Sequence, residues 1–144
     1  MLWLLDTAAA RLQTLFGPHS LLLPVPMPLS RMRRAGRHHA ADLCRAIAGR
    51  TDSLVDWHVL RRSGTQQRQS SLSGRARRKN LCNAFRVDTD YRSAEAAGGA
   101  SGMRVWVVDD IMTTGATMHY ACRTLQRAGI QASAFSLTRL PGKD

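Results

Sequence analysis

The chain has 144 residues, the commonest size for a single domain, so one core spanning 1–144 is expected. Hydrophobic residues make up 44% of it, but no apolar run approaches the ~18 residues of a membrane-spanning helix, which excludes a helical membrane protein. The formal charge of +11 is large for this length and favours polyanions, meaning phosphate-rich ligands or nucleic acid.

The N-terminal segment MLWLLDTAAARLQ sets Leu2, Leu5, Ala9, Leu12 and Phe16 along one stripe, which predicts a helix within residues 1–20. Asp6 interrupts its apolar start and no basic segment precedes it, so it is not a signal peptide and a cytoplasmic protein is expected. Leu21-Leu22-Leu23, closed by Pro24-Val25-Pro26, predicts a buried strand entering a loop, and Arg31 to Gly36 reads as basic loop. Ala40 to Ala48 suits a helix ending at Gly49, with His38 and His39 exposed at its start. Leu54 to Leu60 has the β-branched and aromatic content of one strand.

Arg61 to Arg86 holds eight basic residues and no acidic one (Arg61, Arg62, Arg68, Arg75, Arg77, Arg78, Lys79 and Arg86) and is expected to be a mobile basic region. Within it, Arg75 to Cys82 suits a short helix and Asn83 to Val87 a strand. The alternative is a solvated arm that reflects an overall preference for arginine, since Lys79 and Lys143 are the only lysines. Ser93 to Gly102 reads as a small-residue linker. Met103 to Val108 predicts a strand, Asp109 to Gly115 a loop, Ala116 to Ala128 a helix stopped by Gly129, and Ala132 to Leu137 a further strand. Strand, helix, strand in that order is a βαβ unit with a parallel sheet. Cys44, Cys82 and Cys122 are scattered without metal-ligand spacing, so free or buried thiols in a reducing compartment are expected.

The segment Val105 to Thr117, VWVVDDIMTTGAT, carries the chemistry. Ligands of parallel sheets bind beyond the C-terminal strand ends, where Asp109 and Asp110 would stand. A vicinal diol offers two O–H donors and an ionised carboxylate only accepts, so adjacent aspartates suit the 2′- and 3′-hydroxyls of a ribose. Thr113, Thr114, Gly115, Ala116 and Thr117 then open a helix whose N–H groups and dipole favour a 5′-phosphate. Ordinary helix capping needs one such residue, and here two carboxylates and three threonines occur together.

This stretch resembles the 13-residue signature of type I phosphoribosyltransferases, which bind phosphoribosyl pyrophosphate (PRPP). About residues 21 to 140 resemble the ComF/GntX-type competence-associated proteins. Their PVPL-like loop is matched by Pro24-Val25-Pro26 and their Gln-x-x-Leu-Ser-x-x-x-Arg-x-x-Asn stretch by Gln69, Leu72, Ser73, Arg77 and Asn80, followed by Ala84-Phe85. Where the family has an RGFNQ-type segment, this chain reads Ala35-Gly36-Arg37-His38-His39. Members often begin with a four-cysteine zinc ribbon and a further segment before the PVPL-like loop; this sequence shows neither, as a naturally short member, a truncated gene product or one with a misplaced start would.

The resemblance implies an α/β fold with a parallel sheet flanked by helices. It implies that the loop at Val25 and Pro26 cradles pyrophosphate through backbone N–H groups, with Arg31, Arg33 and Arg34 as nearby charges. It also implies that Gln69, Arg77 and Asn80 belong to a loop closing over PRPP, and that Mg2+ arrives through the pyrophosphate without direct protein ligands. The expected partners are PRPP or a related phosphorylated ribose, single-stranded DNA held without sequence preference, and a second copy of the chain. Two functions stay open. One is transfer of the phosphoribosyl group to a nitrogenous acceptor with release of pyrophosphate. The other is a non-catalytic PRPP-binding or DNA-uptake accessory role. No general base and no nucleobase pocket can be read from the sequence.

Overall fold

The computed structural model describes residues 2–63, 82–88, 90 and 102–140. The leucines of β1 (Ser20–Pro24) are all buried, because this strand runs near the middle of a four-stranded parallel sheet and packs on both faces. Its neighbours are β2 (Leu54–Val55) and β5 (Arg104–Met112), and β6 (Ala132–Arg139) lies beyond β5, giving the order β2-β1-β5-β6. β3 (Leu60–Arg62) and β4 (Phe85–Val87) form a separate antiparallel ribbon.

The period-2 alternation of β1 divides the core. Leu21, Leu23 and Val25 pack with Val105, Val107, the ribbon residues Leu60 and Phe85, and Met118, Ala121 and Leu125 of α5 (Ala116–Arg127). Leu22 faces the other way, with Val108, toward Leu5, Leu12, Phe16, Leu43, Cys44 and Ile47. That second layer is built by α1 (Leu2–Thr7), α2 (Ala9–Leu15) and α4 (His39–Thr51). Phe16 meets the rings of Trp106 and Phe135 edge-on, with centroids 5.0 and 5.1 Å away, and so seals the N-terminal helices onto the sheet.

Several expectations are corrected. The N-terminal helix is two helices, broken at Ala8, whose ψ of 7° leaves the helical range. Arg31 to Gly36 is mostly helix: α3 (Leu29–Ala35) starts after Pro28, which lacks a donor to lose, and stops at Gly36 with φ 70°. α4 runs through Gly49 to Thr51, because buried Thr51 bonds back to the Ile47 carbonyl and to Ser53. The single strand expected over Leu54 to Leu60 is two strands in different sheets. Asp56 accepts from the His58 amide at 2.7 Å, and this Asx turn redirects the chain.

The expected mobile basic region is ordered at both ends, where Arg61 pairs with Arg86 across the β3–β4 ribbon and binds Asp88 at 2.7 Å. The strand expected over Asn83 to Val87 is β4, shorter by two residues. The segment Arg75 to Leu81, and 93–101 of the linker, lie outside the described residues. β5 runs four residues past Val108 instead of ending there, because β6 continues beside it and pairs Ile111 with Thr138 and Met112 with Arg139. Among the described residues no helix is long and apolar enough to cross a membrane.

Candidate functional site

The chain leaves β1 at Pro24 and, after α3, packs α4 on one face of the sheet. It leaves β5 at Met112 and passes through α5 on the other. Two neighbouring parallel strands whose chains depart to opposite faces open a crevice at their C-terminal ends. Val25 donates to the Val108 carbonyl at 2.9 Å, the last bond joining the two strands, so beyond it β5 is paired on its β6 side only. Asp109 and Asp110 begin that extension.

Both aspartates are partly buried, and Asp109 Oδ1 accepts from the Asp110 amide at 3.0 Å. Burial raises the Asp109 carboxyl to about 7, helped by its interaction with the neighbouring Asp110 side chain and opposed by Arg31. The site therefore holds a carboxyl that lacks enough positive charge around it to ionise fully at neutral pH.

Past Met112, Gly115 takes φ 75° at the N-terminal cap of α5, a left-handed geometry natural only to glycine. An added Cβ would meet Met112 Sδ at 3.5 Å, an ordinary contact, so backbone geometry and not space selects glycine here. Thr114 Oγ1 accepts weakly from the Ala116 amide at 3.4 Å. Thr113 and Thr114 are exposed, and Thr117 is partly buried within the first turn of α5. The early amides of this twelve-residue helix have no intrahelical carbonyl to bond, and its dipole adds positive potential there. Asp109, Asp110 and Thr113 to Thr117 are thus contiguous at one strand end.

The loop after β1 is adjacent but differs from expectation. The Val25 amide is committed to Val108, Pro26 has none, and the Met27 amide points at His38 Nε2 at 3.3 Å. Val25 and Pro26 therefore offer an incoming anion no open N–H, the Met27 N–H is occupied only when His38 Nε2 is the unprotonated ring nitrogen, and most of the positive charge has to come from side chains. Burial lowers the pKa of the half-buried Arg62 guanidinium and Arg31, exposed in α3, adds to that, while the same Arg31 charge opposes the rise of the Asp109 carboxyl. Arg33 and Arg34 sit exposed in the last turn of α3, with no such link to the carboxylates. Gln69, Arg77 and Asn80 lie outside the described residues.

Two residues enter this neighbourhood in roles the sequence did not mark. Arg62 stacks over Phe85 at 5.5 Å and donates to the Pro26 carbonyl at 3.3 Å. Its partner is 36 positions away, so no local spacing signals the contact. His38 is half-buried, not exposed, and its Nδ1 caps α4 by accepting from the Ala41 amide at 3.2 Å. Its position just before an apolar helix was the one available signal.

The family model described as "Phosphoribosyl transferase domain" matches residues 36–139, which include this strand end. The chain is 30% identical over 128 residues to the DNA utilization protein YhgH of Escherichia coli O157:H7, covering 89% of this chain and 52% of that protein. It is 30% identical to competence protein ComFC of Bacillus subtilis, covering 83% and 44% of the two chains. With competence protein F of Haemophilus influenzae the identity is also 30%, over 78% and 49%. The chain spans about half the length of the curated relatives it matches.

Proposed function

Because the chain belongs to the phosphoribosyl transferase domain family, on its competence-associated, ComF-like side, we propose that it binds PRPP in the crevice between β1 and β5. One observation carries this reading: Asp109 and Asp110 extend β5 beyond its pairing with β1, directly before a glycine-capped helix start. The carboxylates accept the two ribose hydroxyls, while Thr113, Thr114, Thr117 and the first-turn amides hold the 5′-phosphate. Arg31 and Arg62 face the pyrophosphate. Mg2+ fits as a companion of the ligand: the cations here are two arginines, fewer charges than a pyrophosphate carries, and a metal bound to its oxygens would neutralise the remainder.

If the protein turns over, a nitrogenous nucleophile attacks C1 of the ribose as the bond to pyrophosphate breaks. The residues named above act by holding the ring and stabilising the departing charge. Calorimetry with PRPP and Mg2+ tests the binding. Asp110→Asn should weaken it about tenfold, the usual cost of a hydrogen bond lost at a charged group. Folded wild-type protein that takes up no PRPP would overturn the reading. A screen of nucleobases and amines for PRPP-dependent pyrophosphate release decides whether the site is catalytic.

The names of the relatives favour a second reading, a non-catalytic PRPP-binding accessory in DNA uptake. The +11 charge supports it, since the same surface attracts a nucleic-acid strand.

A further inference from the structure

The peptide unit joining Pro26 to Met27 is gripped at both ends by side chains from distant parts of the chain. Its carbonyl accepts from Arg62 Nη1 in β3, and its N–H points at His38 Nε2 before α4, each at 3.3 Å. The other ring nitrogen of His38, Nδ1, faces the Ala41 amide at 3.2 Å. Two amide donors thus converge on one imidazole. A neutral ring has a single acceptor nitrogen and a protonated ring has none. The arrangement needs His38 unprotonated, and each tautomer serves one donor at a time.

We propose that neutral His38 is a positioning residue that sets the Pro26–Met27 peptide and, through it, the start of α3 and the aim of Arg31 at the ligand. The ligand here is that of the ribose-phosphate reading above, on which this step rests. The path is short. Pro28 follows Met27, and its carbonyl receives the Arg31 amide at 2.9 Å, so a rotation at the 26–27 peptide swings the turn that carries Arg31. Val25 is fixed to Val108 just upstream, which leaves the Pro26–Met27 unit as the point where the loop's direction is decided.

The charges around His38 agree with a neutral ring. Burial is the largest influence and disfavours the cation, with Arg45 of α4 adding to it. Asp42 of α4 and Asp110 of β5 favour the cation but do not prevail, so the pKa falls below 6.5. A histidine whose folded pKa is depressed contributes fully above 6.5, and its contribution is lost as pH falls beneath that value. Asparagine at the same position puts an acceptor oxygen where Nδ1 stands and keeps the cap of α4, but it is too short to reach the Met27 amide as Nε2 does, and it does not titrate.

The test compares wild type, His38→Asn and His38→Ala by calorimetry with PRPP and Mg2+. Near neutrality both variants should bind about tenfold more weakly than wild type, as one lost hydrogen bond implies, even though the Asn variant keeps the cap of α4. As pH falls through the lowered pKa of His38, beneath the ordinary 6.5, the wild type should lose affinity relative to His38→Asn. Asp109 titrates in both proteins and cancels from that ratio. An Ala variant equal to wild type, or a ratio that does not change with pH, overturns the proposal.

A ligand-free readout separates this from the ribose-phosphate reading. In nitrogen-15 NMR spectra the Met27 amide of wild type should titrate together with the His38 ring, and should not do so in His38→Asn. Should wild type fail to bind PRPP, the ribose-phosphate reading falls. The Met27 titration then decides the positioning role alone, and an amide that ignores the His38 ring overturns it. The same measurement serves if His38→Ala does not fold.

Discussion

Asp109 is a carboxyl placed where its own protein does not fully support its charge, and this makes it visible to two measurements. Its folded pKa of about 7 stands above the ordinary 3.8, so between those values the folded chain keeps a proton that the unfolded chain has released. Stability of the free protein should therefore fall as pH rises from 3.8 to about 7. Asp109→Asn removes the charge while keeping the shape, so it should raise the melting temperature at neutral pH by a few degrees and flatten that slope. PRPP affinity should move the opposite way. A diol needs the ionised acceptor, so wild-type affinity should rise with pH through about 7, and Asp109→Asn should lose both affinity and pH dependence. Thermal scans over a pH series check the first expectation and calorimetry the second. A melting temperature that Asp109→Asn lowers at neutral pH would show that the carboxylate is already well satisfied.

At the scale of elements, the site depends on two strands of unequal reach. β5 projects past β1 because β6 accompanies it as far as Arg139, while β1 gives way at Pro24 to a loop held by Val108, His38 and Arg62. The helical layer behind β1 packs against this part of the sheet. Phe16 is 1% exposed and closes that layer against Trp106 and Phe135, at the base of the strands that carry the site. Phe16→Ala should cost ~3–5 kcal/mol, the usual penalty for deleting a buried ring. That is a large part of the ~5–15 kcal/mol that holds a domain together. Chemical denaturation measures it. A loss under ~1 kcal/mol would mean that α1 and α2 are only loosely docked.

For the whole molecule, charge is the dominant property. Any affinity for single-stranded DNA should be independent of sequence and should fall by about 0.7 logarithmic units per logarithmic unit of salt for each phosphate neutralised. At the described ends of the basic block some of that charge is already engaged, Arg61 by Asp88 and Arg62 by Pro26. The number of contacts, read from the slope, should therefore be smaller than the eight basic residues counted between Arg61 and Arg86. A salt series with and without PRPP and Mg2+ measures this. A flat response rejects an electrostatic mode, and competition by PRPP shows that the same arginines serve both ligands.

Much of this was legible in the amino-acid sequence because the signals are local. Leu21 to Leu23 closed by prolines, the run Val105 to Thr117 and the helix stopped before Gly129 each carry their structural reason within a few residues. The βαβ unit, the parallel sheet and the contiguity of Asp109, Asp110 and Thr113 to Thr117 follow from them. What only the tertiary structure decided depends on partners far apart in the chain. The extension of β5 needed β6 beside it, and the division of Leu54 to Leu60 between two sheets needed β1 and β4. The grip on the Pro26–Met27 peptide joins residues 11 and 36 positions apart, and the raised carboxyl of Asp109 is set by burial. Backbone propensity is read along the chain, whereas desolvation and long-range hydrogen bonds exist only once the chain has closed on itself.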